Sequence, residues 1–311
     1  MATIEAARLS KRYGARTALD ELTFSARPGE IVGLLGPNGA GKTTTIRLLT
    51  TILRPTSGTF TVNGVPGNQT ARIREHIGVL PESAGYPEHQ TGADYLRYAA
   101  RLFGATRRQA ETVADRLLGD VGLAQHAGRP ISTYSRGLRQ RLGIARALVN
   151  DPAVVFLDEP TLGLDPAGQR EILTTIRRIA AERGATVVLS THLLPEVEEV
   201  CTTLLILDHG RLLAAGSVEE VTRSVGVHRT GLLRVPPGRA DYALQVLRRL
   251  RALSATVAPD RPDTIELQAE TIAWNDVLRA LIAAEIPVLG FEADSTSFSD
   301  AFLDLTREAS S

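Results

Sequence analysis

Two short segments carry residue types suited to handling phosphate. The first, Gly36-Pro37-Asn38-Gly39-Ala40-Gly41-Lys42-Thr43, satisfies the spacing Gly-x4-Gly-Lys-Thr at every fixed position. Glycines let successive backbone N–H groups curl around phosphate oxygens, and a helix starting behind them adds partial positive charge. A lysine there reaches the β and γ phosphates, and the threonine hydroxyl is a ligand for Mg²⁺. The second segment, Val154-Val155-Phe156-Leu157-Asp158-Glu159, sets two acids after four apolar residues. An aspartate ending a buried strand holds Mg²⁺ through water, and a neighbouring glutamate is placed to polarise an attacking water. Apolar runs ending in acids are common, so the second segment takes its weight from the first. Together they predict binding and hydrolysis of ATP with Mg²⁺.

That chemistry requires a strand before the loop and a helix after it. Ile31-Val32-Gly33-Leu34-Leu35 reads as a buried strand stopping at Gly36. From Thr44, residues Ile46, Leu48, Leu49 and Ile52 fall at helical spacing, and Pro55 is expected to end the helix. Residues 2–35 turn like antiparallel strands, with a turn at Arg27-Pro28-Gly29-Glu30. From about Pro87 to Asn150 the pattern is helical, with Leu96, Ala99, Ala100 and Phe103 on one face and Val113, Leu117, Leu118 and Val121 on another. A strand over 153–157 leads to the acid pair, a helix over 167–183 ends at Gly184, and a strand over 186–190 leads to His192. The alternation predicts an α/β fold with a mainly parallel sheet, into which the helical stretch is inserted. After about Thr222 the pattern resets to strand 231–235, helix 239–250, strands 254–258 and 264–268, helix 272–284 and strand 287–292, the split βαβ plan. A last helix is expected over Phe298–Arg307. The expected domains are residues 1–222, with a helical subdomain at about 87–150, and a small α+β domain at 223–311.

The 311 residues carry 35 basic and 35 acidic side chains, a balance that gives no global case for nucleic acid. Only Lys11 and Lys42 are lysines, which makes the lysine of the loop conspicuous. The single cysteine, Cys201, has no partner for an intramolecular disulfide and reads as core filler, in keeping with a reducing cytoplasm. No secretory pattern opens the sequence and no run of about 18 apolar residues crosses it, so a membrane role is expected to come through a partner.

Further motifs make the chain resemble the ATP-binding subunit of an ABC transporter over about residues 3–222. Tyr134-Ser135-Arg136-Gly137-Leu138 is similar to the signature segment of that family, whose commonest form is Leu-Ser-Gly-Gly-Gln. The serine and one glycine are kept, and the departures resemble exporters with a Tyr-Ser-Lys-Gly-Met version. On its residues alone Ser135 also caps the helix behind it, whichever role it plays. The resemblance implies the ABC ATPase fold, with an N-terminal antiparallel β-subdomain. It implies that Ser135, Arg136 and Gly137 act in trans on a second subunit, in a homodimer holding two ATP molecules head to tail. It implies further that Pro37, Asn38, Gly39, Ala40 and Thr44 bind ATP alongside Gly36, Gly41, Lys42 and Thr43. Glu159 and His192 would act at the γ-phosphate, Asp165 of Gly163-Leu164-Asp165-Pro166 would cross the subunit interface, and Tyr13 would stack on adenine. As a plain reading, Tyr13 is a turn tyrosine packed on the first sheet.

Glu82 stands where the family usually has glutamine, after Ile77-Gly78-Val79-Leu80-Pro81. Its carboxylate is a candidate Mg²⁺ ligand with Thr43 and Asp158, without the amide donor of glutamine. Leu-Pro-Glu at this place resembles exporters of drugs and polysaccharides whose permease is a separate chain. An integral-membrane permease is therefore the expected partner, docked near Glu82 and the inserted helices, with the chain peripheral on the cytoplasmic face of the membrane. An importer ATPase is the alternative within transport. A non-transport ABC ATPase acting on DNA or ribosomes is disfavoured by the single cassette and the absence of a long coiled coil. Residues 223–311 resemble an accessory domain of such exporters more loosely, through Ser297–Thr306.

Overall fold

The five residues Ile31–Leu35 are all buried, and the strand they form lies inside a six-stranded sheet. The computed structural model describes residues 2–224, 229–250, 253–258, 261–269 and 274–295. In chain order the elements of the larger unit are β1 (Ile4–Tyr13), β2 (Arg16–Ala26), β3 (Ile31–Leu35), α1 (Lys42–Leu49), β4 (Ser57–Val62), β5 (Val65–Pro66), α2 (Thr70–His76) and β6 (Ile77–Leu80). There follow α3 (Gly92–Leu102), α4 (Arg107–Asp120), α5 (Arg136–Ala147), β7 (Val154–Asp158), α6 (Pro166–Arg183), β8 (Thr186–Thr191), α7 (Leu194–Val200), β9 (Thr203–Asp208) and β10 (Arg211–Ser217); α8 (Val218–Ser224) starts on the unit's last residue and belongs otherwise to the second unit. The central sheet runs β10-β9-β3-β8-β7-β6, parallel except for β10 at its edge. Strands covered on both faces need continuous apolar runs, and 31–35, 154–157 and 204–207 supply them.

Alternate residues of these strands feed two cores. Val155 and Leu157 of β7 pack with Leu96, Leu117, Leu142 and Ile176, joining the inserted helices and α6 to one face of the sheet. Val154 and Phe156 face the other way, into a core shared with α1 and with the antiparallel sheet β2-β1-β4-β5. The register places Leu35 beside Thr191 and Ile206, and Asp158 beside Ser190. The carboxyl ends of β3, β7, β8 and β9 are therefore level, on the side where open α/β sheets bind ligands.

Two local expectations need correction. The helix after the phosphate loop begins at Lys42 and ends at Leu49, well short of Pro55. Thr50 caps it by donating to the Ile46 carbonyl at 2.7 Å, and Thr51 then turns the chain at φ +63°. Arg74 grips Thr51 at both its hydroxyl and its carbonyl, so Ile52 lies outside the helix and is exposed. Phe103 is likewise a cap residue beyond α3 and exposed, because the chain turns at Gly104 toward the capping box of Thr106 and Gln109 that starts α4.

The chain divides into two compact units, Met1–Val218 and Glu219–Ser311. The second contains β11 (Arg229–Arg234), α9 (Ala240–Leu247), β12 (Leu253–Ala258), β13 (Arg261–Ala269), α10 (Trp274–Ala283) and β14 (Gly290–Ser295). Its sheet runs β12-β13-β11-β14 with every pair antiparallel, the split βαβ arrangement in which two crossovers each skip a strand. Leu233, Leu244, Leu247, Ile265, Leu267, Val277 and Leu281 form its own core. The last strand begins at Gly290 rather than 287, since Pro287 has no N–H and the ladder starts where Leu289 donates to the Arg234 carbonyl. The last helix expected over 298–307, and the segment Ser297–Thr306, lie outside the described residues.

Candidate functional site

Three motif glycines permit the phosphate loop for different reasons. A Cβ on Gly36 would run into the backbone carbonyl of Leu207 on β9. Gly39 and Gly41 take φ of +85° and +108°, in the range that side chains oppose, and a Cβ on Gly41 would also lie 2.9 Å from the Ala18 carbonyl. Ala40 accepts from the Gly210 N–H at 3.0 Å, so the turn between β9 and β10 braces the loop from behind. The loop passes directly into α1, whose first residues are Lys42 and Thr43.

These elements wall a cleft of about 420 Å³, lined by Pro37 through Thr44 together with Arg16, Ala18, Glu82, Glu159, Leu162 and His192. The Lys42 ammonium is buried; it donates to the carbonyls of Gly36 at 2.7 Å and Pro37 at 3.2 Å and lies 3.6 Å from Glu159 Oε1. Glu159 Oε2 meets His192 Nδ1 at 3.0 Å. One buried carboxylate thus faces the loop lysine through one oxygen and the histidine through the other. Thr43 donates to Asp158 Oδ1 at 3.2 Å, and Ser190 donates to the same oxygen at 2.6 Å. Glu159 itself has φ +50°, a left-handed conformation held because its N–H donates to both Ser190 Oγ and the Ser190 carbonyl. That twist turns the glutamate away from the strand direction that Asp158 follows.

Not every expected site residue lies in the cleft. Tyr13, at the end of β1, is half exposed with the Lys11 ammonium 5.2 Å above its ring, and it does not line the cleft. Ser135, Arg136, Gly137 and Asp165 are also outside it. They form a group of their own. Ser135 caps α5 by accepting from the Leu138 N–H at 3.3 Å, and Asp165 caps α6 by accepting from the Gly168 N–H at 3.3 Å. The Arg136 guanidinium covers Gly163, where a Cβ would sit 2.5 Å from Cζ. The signature segment and the loop 163–166 therefore share one exposed surface patch. Two residues of the site escaped the sequence reading: Arg16, which lines the cleft from the short hairpin that pairs it with Tyr13, and Ser190, buried behind the cleft in an apolar strand, which stands out only once its neighbour is seen to be Asp158.

The oxygen set of Thr43, Asp158 and Glu82 suits Mg²⁺, which takes one or two carboxylates and completes its shell with water and phosphate. No cluster of three His, Cys, Asp or Glu occurs among the described residues, so nothing resembles a site built wholly from protein ligands. Burial pushes the Cys201 thiol up to about 12, which leaves it unsuited to nucleophilic work. Among the described residues no helix is long and apolar enough to cross a membrane.

The family described as ABC transporter matches residues 19–162, a span holding the phosphate loop, the signature segment and the acid pair. The ABC transporter ATP-binding protein YhcH of Bacillus subtilis is 34% identical over 307 residues, 98% of this chain and 96% of its own. The daunorubicin resistance ATP-binding protein DrrA3 of Streptomyces coeruleorubidus is 35% identical over 304 residues, 96% of this chain and 94% of its own. Among solved structures, an ATP-binding subunit of an ABC transporter superposes with a TM-score of 0.65 at 32% identity, covering 72% of this chain and 93% of that one.

Proposed function

Because this chain belongs to the ABC transporter family, among its ATP-binding and ATP-hydrolysing subunits, we propose that it powers export by a separate membrane permease. The observation carrying the chemistry is the convergence of Lys42, Glu159 and His192 on one cleft wall, within 3.6 Å of one another through the Glu159 carboxylate. Backbone N–H groups of the loop and the α1 N-terminus hold the phosphates of ATP, and Lys42 bridges β and γ. Thr43 and Asp158, with Glu82 close by, would hold Mg²⁺, which would supply charge neutralisation for the γ-phosphate. Glu159 orients and deprotonates the attacking water, and His192, hydrogen-bonded to it, steadies the γ-phosphate. Tyr13 stacks on adenine at the outer end.

The site is completed by a second copy. Ser135, Arg136 and Gly137 present a helix-capping hydroxyl and a cation outside their own cleft, which suits contact with the partner's γ-phosphate, and Asp165 beside them crosses the subunit interface. The permease meets a groove of about 370 Å³ between the sheet and the inserted helices, where Ile52, Tyr98, Leu102 and Phe103 are all exposed. A contiguous apolar lining of that kind marks a protein contact. This contact holds the chain on the cytoplasmic face of the membrane. Export is favoured over uptake by the drug-resistance relative and by Glu82 in place of glutamine.

Purification from the host membrane tests the reading. The chain co-purifies with an integral-membrane protein of about six apolar spans, Tyr98→Asp with Leu102→Asp abolishes that association, and both forms bind ATP equally. Retrieval of the chain without any membrane protein overturns the transport assignment.

A further inference from the structure

β8 ends in two adjacent, fully buried hydroxyls that work in opposite directions. Ser190 turns to Asp158 and the Glu159 amide, as described above. Thr191 donates to Glu196 Oε2 at 2.7 Å, and its Oγ1 accepts the Leu193 N–H at 3.0 Å. The residue enclosed between those bonds is His192. Its imidazole is 41% exposed and its hydrogen bond is to Glu159, so its position depends on how its backbone is anchored.

Glu196 is 4% exposed, and its other oxygen, Oε1, has no hydrogen-bond partner among the described residues. An unsatisfied buried carboxylate oxygen is destabilising. The N-cap of α7, Leu193, supplies no side-chain cap, and Glu196 in the first turn reaches back to Thr191 instead. The bond ties the first turn of α7 to the last residue of β8 across the bend that carries His192.

We infer that Glu196 and Thr191 are positioning residues for His192, a clamp that fixes the imidazole on the cleft wall within reach of Glu159. The inference rests on the reading of His192 as a residue acting at the γ-phosphate. Neither clamp residue lines the cleft, so their loss is expected to act on turnover and leave ATP affinity intact. Misplacing a catalytic group by about 1 Å reduces rate by up to about a hundredfold.

The test uses the full-length chain, with steady-state ATP hydrolysis and ATP binding by calorimetry. Thr191→Val and Glu196→Ala are each expected to lower kcat by about ten- to a hundredfold, with KM and the ATP Kd within about twofold of the parent. The double variant is no worse than either single one, and Thr191→Ser and Glu196→Gln, which keep the bond, restore most of the rate. Glu196→Leu fills the space without a buried charge and replaces Glu196→Ala if that variant does not fold. If His192→Ala is impaired while Thr191→Val and Glu196→Leu turn over normally, the clamp is refuted and the site reading stands. If kcat, ATP affinity and Tm fall in parallel and the conservative variants rescue nothing, the clamp is only structural and the inference fails. Normal turnover by His192→Ala removes the premise and the clamp together.

Discussion

Replacing Glu159 by Gln keeps the shape of the side chain and the backbone twist while removing the base. A positioned general base contributes about 10²–10⁴ in rate, or about 2.7–5.4 kcal/mol in the barrier. Turnover is therefore expected to fall by that factor. Binding should survive, because the amide can still meet His192 Nδ1 and Lys42 keeps the carbonyls of Gly36 and Pro37 as acceptors. Those same carbonyls limit the stability cost of ending the Lys42–Glu159 pair. Orphaning a charge in a buried pair costs about 3–5 kcal/mol, and with two acceptors left we expect about 1–3 kcal/mol. Three measurements separate these effects: single-turnover hydrolysis, equilibrium ATP binding and size exclusion with ATP, in which the variant should accumulate as an ATP-bound dimer. Turnover within tenfold of the parent refutes Glu159 as the base. Loss of ATP binding with unchanged single-turnover rate at saturation refutes it differently, by reducing Glu159 to a support for Lys42.

Gly143→Ala would place a Cβ 2.5 Å from Leu80 Cδ1 and 2.6 Å from the Tyr86 hydroxyl, which donates to the Arg139 carbonyl. Overpacking at that seam between β6 and α5 should cost about 1–3 kcal/mol in denaturant unfolding. Arg183→Ala removes charge-assisted bonds to Asp120 at 2.6 Å and Asp151 at 3.1 Å, so amide exchange in α4 should accelerate before that of β7. Cys201 should resist thiol reagents at pH 8 until the chain unfolds, because its thiol is raised from 9.0 to about 12. The unfolded thiol ionises near 9 and the folded one near 12, so the unfolded state holds fewer protons in that window. Stability should then fall as pH rises from about 9 toward 12, and a shallower fall of the urea midpoint in Cys201→Ala than in the parent checks the sign, the fall that remains coming from tyrosines such as Tyr86 that burial also raises.

Much of this site was legible because its parts are contiguous. Loop 36–43 carries its own steric demands, and Asp158-Glu159 announces itself by following an apolar run. Residues that matter through pairing across the sheet were not legible. Ser190 and Asp158 are 32 positions apart and meet only because β7 and β8 share a register, and Glu159's left-handed backbone follows from that meeting. Helix ends were misjudged for a related reason. Periodicity carried α1 on to Pro55, whereas the chain turns at Thr51 because Arg74, 23 residues later, holds it there. In the second unit the order of elements was readable, since each strand and helix has its own period. The order of strands in the sheet is a property of how the crossovers pack and has no local signal.

The neighbours of β3 are β8 and β9, whose residues follow it by more than 150 positions, and Leu207 and Gly210 press against the loop that β3 carries. This has a consequence for the chain as it leaves the ribosome. The phosphate loop is translated well over a hundred residues ahead of its supports and has no floor or back wall until residue 210 has been made. At about 5–20 residues per second that interval is roughly 8–34 s after Lys42 is joined, so ATP cannot serve as a template for the nascent amino-terminal half. The unpaired β3, with both edges open, is then the segment most in need of protection from other nascent strands.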